Sequence, residues 1–228
     1  MKHVAIVLAA GTGSRMKSNI PKQYLKLKGR PVLYYSLKAF EESFVDDIIL
    51  VTGEGWQEYC RHEIVELYHF EKVRRIIVGG SERYESVYRG LCETDGADYV
   101  YIHDGARPFL NGEILERARK TVEQFGTAVA GMPVKDTIKI VDRDQFVKDT
   151  PLRSRVWQIQ TPQAFSGKLI VSAYRKLFEA EAFEGITDDA MVVEQMERVP
   201  VKLFKASYQN IKITTPEDLA AAEIWEQN

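Results

Sequence analysis

Short runs rich in β-branched and aromatic residues recur along the first part of the chain: His3 to Leu8, Asp47 to Thr52, Arg74 to Val78, Tyr99 to His103 and Thr127 to Val134. Stretches with helical apolar spacing stand between most of them. This alternation constrains the fold more than any other feature, because a strand that rejoins its sheet through a covering helix runs parallel to the strand before it. It predicts an α/β fold, with a mostly parallel sheet and helices on both faces. In "SERYESVYRGL", Tyr84, Val87, Tyr88 and Leu91 form an apolar stripe, and Ser81 is placed to cap the helix. The 228 residues suit one such domain, and no repeat, low-complexity tract or linker divides them.

The rhythm breaks after Val134. "KDTIKIVDRDQFVKDTPLRSRVWQIQ" alternates strand-like pieces around a turn-like "DRDQ" but offers no helix, which predicts a projecting β-arm over about 135–160. Helices resume at Gly167 to Phe183, with Ile170, Ala173, Tyr174 and Leu177 in register, and at Thr187 to Glu197. The chain closes with the strand-like "VKLFKA" and "NIKIT" and a helix from Thr215, where Thr-Pro-Glu-Asp supplies an N-cap, a proline and acids against the helix dipole.

A net charge of −2 provides no general attraction to nucleic acid or an anionic membrane, so bound phosphates must be met by locally placed Lys and Arg. Cys60 and Cys92 lack the spacing of a zinc site or a disulfide scaffold and fit a reducing compartment, by default the cytoplasm. "VAIVLAA" is too short to span a bilayer and reads as a buried strand. The expected partners are therefore small phosphorylated molecules, with neither nucleic acid nor membrane among them.

Loops at the carboxyl ends of the strands carry the candidate chemistry. In "LAAGTGSRMKSNIPK", Gly11 and Gly13 allow close backbone approach to phosphate oxygens, Arg15 adds a charged fork, and Lys22 is near enough to join it. Met16 occupies the place of the third glycine of a dinucleotide fingerprint, and no acidic residue follows about 20 positions on, so that motif fails. The plainer reading is a tight turn with a surface arginine. In "YIHDGARPF", Asp104 directly follows a strand and offers the hard oxygen that Mg²⁺ takes beside a polyphosphate, against the plainer reading of a turn-forming aspartate. His103 reads as a packed strand-end residue, and His62 and His69 as surface. In "VGGSERYES", Gly79 and Gly80 leave room for a flat group, and Ser81, Arg83 and Ser86 offer polar contacts to a base edge. Lys212 in "NIKIT" either faces outward on an edge strand or aims at an anion.

Taken in order, "LAAGTGSRM…PKQY", "GGSERYES", "HDGARP", "TPQAF", "ITDD" and "NIKITTPEDL" resemble the 2-C-methyl-D-erythritol 4-phosphate cytidylyltransferases of non-mevalonate isoprenoid precursor biosynthesis, over almost the whole chain. The resemblance implies a single Rossmann-like nucleotidyltransferase domain that transfers CMP from CTP to the phosphate of 2-C-methyl-D-erythritol 4-phosphate with Mg²⁺, releasing pyrophosphate. It implies that Ala9, Ala10, Gly11, Arg15 and Lys22, with Gly13 between them, form the nucleotide-phosphate loop, and that Gly80, Ser81 and Ser86 form the cytosine pocket. Asp104 is then the metal ligand and Lys212 a second cation at the reacting phosphate, so that Arg15, Lys22 and Lys212 are the catalytic cations. Arg107, Thr137, Arg153 and Thr161 match the substrate-phosphate site, part of which the arm of a second subunit supplies in a homodimer. Leu8, Ser81 and Gly105 depart from residues common in the family, and none removes a charge the reaction needs. Gln209 stands where an acid is often seen, which argues against a second acidic residue there. A ribitol 5-phosphate cytidylyltransferase shares the overall pattern. A regulatory protein that binds CTP without turnover would need fewer cations than Arg15, Lys22, Asp104-bound metal and Lys212 supply together.

Overall fold

A computed structural model describes residues 1–11, 16, 20–180 and 185–225. In chain order it contains β1 (His3–Ala9), β2 (Lys26–Leu27), β3 (Arg30–Pro31), α1 (Val32–Glu41), β4 (Asp47–Thr52) and α2 (Gln57–Cys60), which widens into a further turn over Arg61–Glu66. There follow β5 (Val73–Val78), α3 (Arg83–Cys92), β6 (Tyr99–Asp104), α4 (Gly112–Phe125), β7 (Thr127–Pro133), β8 (Ile140–Val141) and β9 (Val147–Asp149). The last elements are β10 (Trp157–Ser166), α5 (Gly167–Glu179), α6 (Asp189–Glu197), β11 (Leu203–Lys205) and α7 (Pro216–Trp225).

The central sheet has the order β11-β7-β10-β6-β1-β4-β5. β10 runs antiparallel to both its neighbours, and the other pairings are parallel. The expected α/β architecture is thus present. Alternation along β1 divides the core: Ala5, Val7 and Ala9 pack with α1 and α4, while Val4 and Ile6 pack with α3, α5 and α6. The chain proceeds outward from β1 through β4 to β5, then crosses back to β6 on the other side of β1. That reversal opens a crevice beyond the carboxyl ends of β1 and β6. Leu8 of β1 pairs with Asp104 of β6 at that edge.

Local chemistry explains where the elements depart from expectation. Ser81 does not cap α3. Glu82 does, its carboxylate accepting from the backbone at Glu85 while the Glu85 side chain reaches back, and the Ser81 hydroxyl donates to Glu85 at 2.8 Å. The helix expected over Gly167 to Phe183 ends at Glu179, with Ile170, Ala173, Tyr174 and Leu177 all buried, and Phe183 lies outside the described residues. α6 starts at Asp189 because Asp188 caps it, accepting from Met191 N–H at 2.9 Å. "NIKIT" forms no strand: it runs irregularly beside the loop after β6, Ile213 N–H donating to Ala106 O at 2.8 Å.

The hairpin of β8 and β9 turns where Asp142 accepts from the backbones of Asp144 and Phe146, as the "DRDQ" turn predicts. Its Ile140, Val141, Phe146 and Val147, and Leu152 beyond it, are exposed. The segment expected as arm closes inside the main sheet, since Trp157, Gln158 and Ile159 already pair with β7.

One helix-to-sheet contact depends on the smallest side chain. A Cβ on Gly90 of α3 would lie 2.7 Å from Ile6 Cγ2, inside a fully buried layer. Gly90→Ala is expected to destabilise the fold by about 1–3 kcal/mol, measured by urea unfolding, despite alanine's better helix propensity. An unchanged or raised midpoint would show that α3 shifts freely on β1.

Beneath the crevice, Asp104 N–H donates to Thr161 Oγ1 at 3.1 Å, and that hydroxyl lies 3.0 Å from His103 Nδ1. A hydroxyl accepting from an amide is free to donate onward, which makes His103 Nδ1 the acceptor and leaves Nε2–H facing Arg107 O. Burial holds His103 neutral, its pKa pushed down from the ordinary 6.5 to about 3, and also lowers that of His3. The unfolded chain binds these protons near the ordinary value, so their contribution to stability is full above it and is lost as pH falls towards 3. Melting temperature is expected to drop from about pH 8 to about pH 5, by the equivalent of roughly 2 kcal/mol for His103. A flat profile would mean that His103 accepts a proton inside the fold.

Candidate active site

The turn after β1 is fastened from below. Gln23 Nε2 donates to Ala9 O at 2.6 Å and to Gly11 O at 3.0 Å, and Tyr24 OH donates to Ala9 O at 3.3 Å while its ring stacks on Trp56. These inward contacts orient the short 3₁₀ turn Lys22–Tyr24 so that Lys22 lines the crevice. Ala10 and Gly11 line it too, whereas Ala9 is buried and contributes a carbonyl to the anchoring. Gly13 and Arg15 lie outside the described residues.

Across the crevice stands the turn that leads from β5 into α3. Gly80 N–H donates to Ser86 Oγ at 3.0 Å, and Ser86 donates to Glu82 O at 3.2 Å, which folds the backbone of Gly80 and Ser81 over the opening. A Cβ at Gly79 would meet Ala10 Cβ at 2.6 Å, so the two turns approach closely only because this position is glycine. Gly80, Ser81 and Ser86 share one cavity of about 180 Å³ with Ala10, Gly11 and Lys22. The cytosine-pocket and phosphate-loop residues of the sequence reading therefore meet.

A second cavity, of about 300 Å³, lies on the β10 side and is lined by Arg107, Gln160, Thr161, Gln163, Thr187 and Asp188 among others. Arg83, Asp104 and Lys212 line both cavities and form the wall between them. Asp104 organises that wall. Its Oδ2 is 2.9 Å from Lys212 Nζ and 3.5 Å from Arg107 Nε, and its Oδ1 is 3.4 Å from Arg83 Nε. Burial by itself would raise this carboxyl; Arg83, Lys212 and Arg107 outweigh burial and hold it well below the usual carboxylate range. Lys212 thus points inward, which decides between the two orientations left open by the sequence.

Arg107 Nη1 donates to Asn210 O at 2.9 Å, fixing its guanidinium against the start of the "NIKIT" segment. Thr161 lines the second cavity with a hydroxyl already shared between Asp104 N–H and His103. Thr137 and Arg153 are exposed on the arm and line neither cavity, Arg153 Nη1 donating to Lys135 O at 3.2 Å.

No group of three or more His, Cys, Asp or Glu placed to hold a metal ion occurs among the described residues. One hard carboxylate facing two anion-sized cavities suits an ion that takes most of its ligands from a polyphosphate and water, as Mg²⁺ does. The sequence reading missed Gln23 and the carboxylates of α6. Gln23 carried no signal apart from its place beside Lys22, while Asp188 and Asp189 stood in the quoted "ITDD" without a role.

The chain matches the 2-C-methyl-D-erythritol 4-phosphate cytidylyltransferase (IspD) family over residues 3–227. A protein of that name from Lachnospira eligens is 54% identical over 224 residues, covering 98% of each chain. Another, from Caldanaerobacter subterraneus, is 48% identical over 97% of each. Among solved structures, the 4-diphosphocytidyl-2C-methyl-D-erythritol synthase of Anaerococcus prevotii superposes with a TM-score of 0.88 at 35% identity, covering 100% of this chain and 96% of that one. With the two cavities, the wall between them and near full-length similarity in hand, the chain belongs to the 2-C-methyl-D-erythritol 4-phosphate cytidylyltransferase family of nucleotidyltransferases.

Proposed function

We propose that this cleft transfers CMP from CTP to 2-C-methyl-D-erythritol 4-phosphate, with CTP on the Gly11 and Ser81 side and the acceptor on the Arg107 and Thr161 side. The observation that carries this reading is the shared wall of Arg83, Asp104 and Lys212, which lines both cavities and so stands where two phosphates would meet. An oxygen of the acceptor phosphate attacks the α-phosphorus of CTP. A new phosphoanhydride bond forms as the bond to the β-phosphate oxygen breaks, and pyrophosphate leaves with that electron pair. No general base is needed because the nucleophile is already an anion. The obstacle is charge repulsion, so Lys22 and Arg15 act on the triphosphate and Lys212 on the reacting phosphate.

The family's enzymes use a divalent metal, and Asp104 would hold Mg²⁺ together with phosphate oxygens of the nucleotide, supplying further charge neutralisation there. Arg107 and Thr161 line the acceptor cavity. No helix among the described residues is long and apolar enough to cross a membrane, and we place the reaction in the cytoplasm. Pyrophosphate release from CTP with methylerythritol phosphate, compared with ribitol 5-phosphate, tests the reading. Preference for ribitol phosphate, or CTP binding without turnover, overturns it.

Lys22→Ala is expected to lower kcat by about 10² or more, roughly 3 kcal/mol, with a much smaller effect on CTP binding, since a cation on growing charge acts chiefly on the chemical step. A variant with normal kcat and only a raised KM for CTP would remove Lys22 from that role.

The arm completes the proposal as a homodimer element. Its exposed Ile140, Val141, Phe146 and Val147 need a cover, and a second copy of the same arm provides one by two-fold pairing. Thr137 and Arg153, which line neither cavity of their own chain, would then serve the neighbour's acceptor site. Arg153→Ala is expected to raise the acceptor KM about tenfold or more while leaving CTP binding intact. Mixing Arg153→Ala with Lys22→Ala subunits should recover activity, since one site of the heterodimer is then complete. Verified heterodimers without recovery, or a fully active monomer, would sink the shared site.

A further inference from the structure

Arg83 differs from the other cations around Asp104 in what holds it. Its Nη1 and Nη2 donate to Asp189 Oδ1 and Oδ2 at 2.9 and 2.8 Å, a two-pronged match that uses both terminal nitrogens. Asp189 is fully buried at the first position of α6 and also accepts from Tyr174 OH of α5 at 2.6 Å. The Tyr174 ring lies parallel to that of Tyr88 on α3, the helix that Arg83 begins. Arg83 is therefore fixed from two helices besides its own, and the nitrogen left over, Nε, is the one that faces Asp104 Oδ1.

Lys212 reaches Asp104 through a flexible stem, and its side chain is 36% exposed at the mouth of both cavities. Arg107 faces the acceptor cavity. Lys212 can turn onto phosphate, whereas Arg107 is held against Asn210 O and Arg83 cannot turn without abandoning a buried carboxylate, a costly separation. We infer that Arg83, clamped by Asp189 and Tyr174, is a positioning residue that fixes the orientation of the Asp104 carboxylate and so sets the affinity of the CTP complex for its divalent cation. This rests on the cytidylyl-transfer reading given above. Groups that orient a metal ligand typically change metal affinity by about 10–100-fold when removed.

Mn²⁺ is the probe, its binding to the full-length protein with a non-hydrolysable CTP analogue followed by electron paramagnetic resonance. Arg83→Gln alone strands the buried Asp189, so it is paired with Asp189→Asn, and Tyr174→Phe serves as a milder variant that leaves both charges in place. The double variant is expected to bind Mn²⁺ about tenfold or more weakly, Tyr174→Phe a few-fold, and the lost kcat is regained in part at high metal. The acceptor KM is expected to change by less than about threefold. Folded variants with lower melting temperatures but wild-type Mn²⁺ affinity would reduce the clamp to a structural tie and overturn the inference. A raised acceptor KM with unchanged Mn²⁺ affinity would overturn it too, by placing Arg83 on the substrate. Wild-type turnover tests the underlying reading separately, because Mn²⁺ affinity is measured without it.

Discussion

The structure is organised around the buried negative charge at the end of β6. Asp104 ends β6 in a position where its carboxylate is almost wholly removed from water, and a lone charge there would be too costly to keep. Arg83, Arg107 and Lys212 balance it from three separate stretches of chain, the start of α3, the loop after β6 and the segment before α7. Each is brought in by its own backbone: α3 begins at Arg83 because of a capping box, Arg107 is tied to Asn210, and Ile213 is hydrogen-bonded to Ala106. The carboxylate therefore gathers the ends of these elements at one point of the sheet edge.

That arrangement aims several cations at the cavities. Asp189 neutralises Arg83, and Asp104 cannot neutralise both Lys212 and Arg107. With Lys22 across the opening, Lys22, Arg83, Arg107 and Lys212 line the two cavities together with the carboxylates of Glu82, Asp104 and Asp188. Two polyanions repel one another in solution, and a site built this way offsets that repulsion before either phosphate moves. Tethering separates these cations: Arg83 is held by the buried Asp189 and Arg107 by Asn210 O, while Lys212 reaches the carboxylate on a flexible stem.

Much of this was legible in the chain. Strand positions followed from β-branched runs because a sheet covered on both faces demands continuous apolar strands, and the loops carrying Gly11, Ser81 and Asp104 were placed correctly by the rule that ligands sit at carboxyl edges. What escaped was long-range. Arg83 and Asp189 are 106 positions apart, and nothing local in "SERYES" or "ITDD" announces that they pair. "NIKIT" has strand-like alternation, yet Asn210 and Ile213 are buried against the β6 loop rather than added to a ladder, so packing overrode pattern. Ser81 lost the cap to Glu82 because the Glu85 side chain takes both the Ser81 hydroxyl and the backbone before it.

The one antiparallel strand explains why the arm emerges where it does. A parallel strand inserted between β6 and β7 would begin at the far edge of the sheet, and any segment preceding it would project away from the chemistry. Because β10 runs the other way, its early residues Gln160 and Thr161 lie beside the end of β6, and β7 finishes at the same edge. The chain between β7 and β10 must then leave and return at the crevice, so the hairpin of β8 and β9 is rooted at the edge that carries the cavity of Arg107 and Thr161. The same reversal supplies Thr161, whose hydroxyl locks Asp104 N–H to His103 and so joins β10 to the residue whose carboxylate organises the site. A single change of strand direction thus delivers both the inner lining of the cavity beside Arg107 and Thr161 and an exposed arm rooted next to it, which carries Thr137 and Arg153.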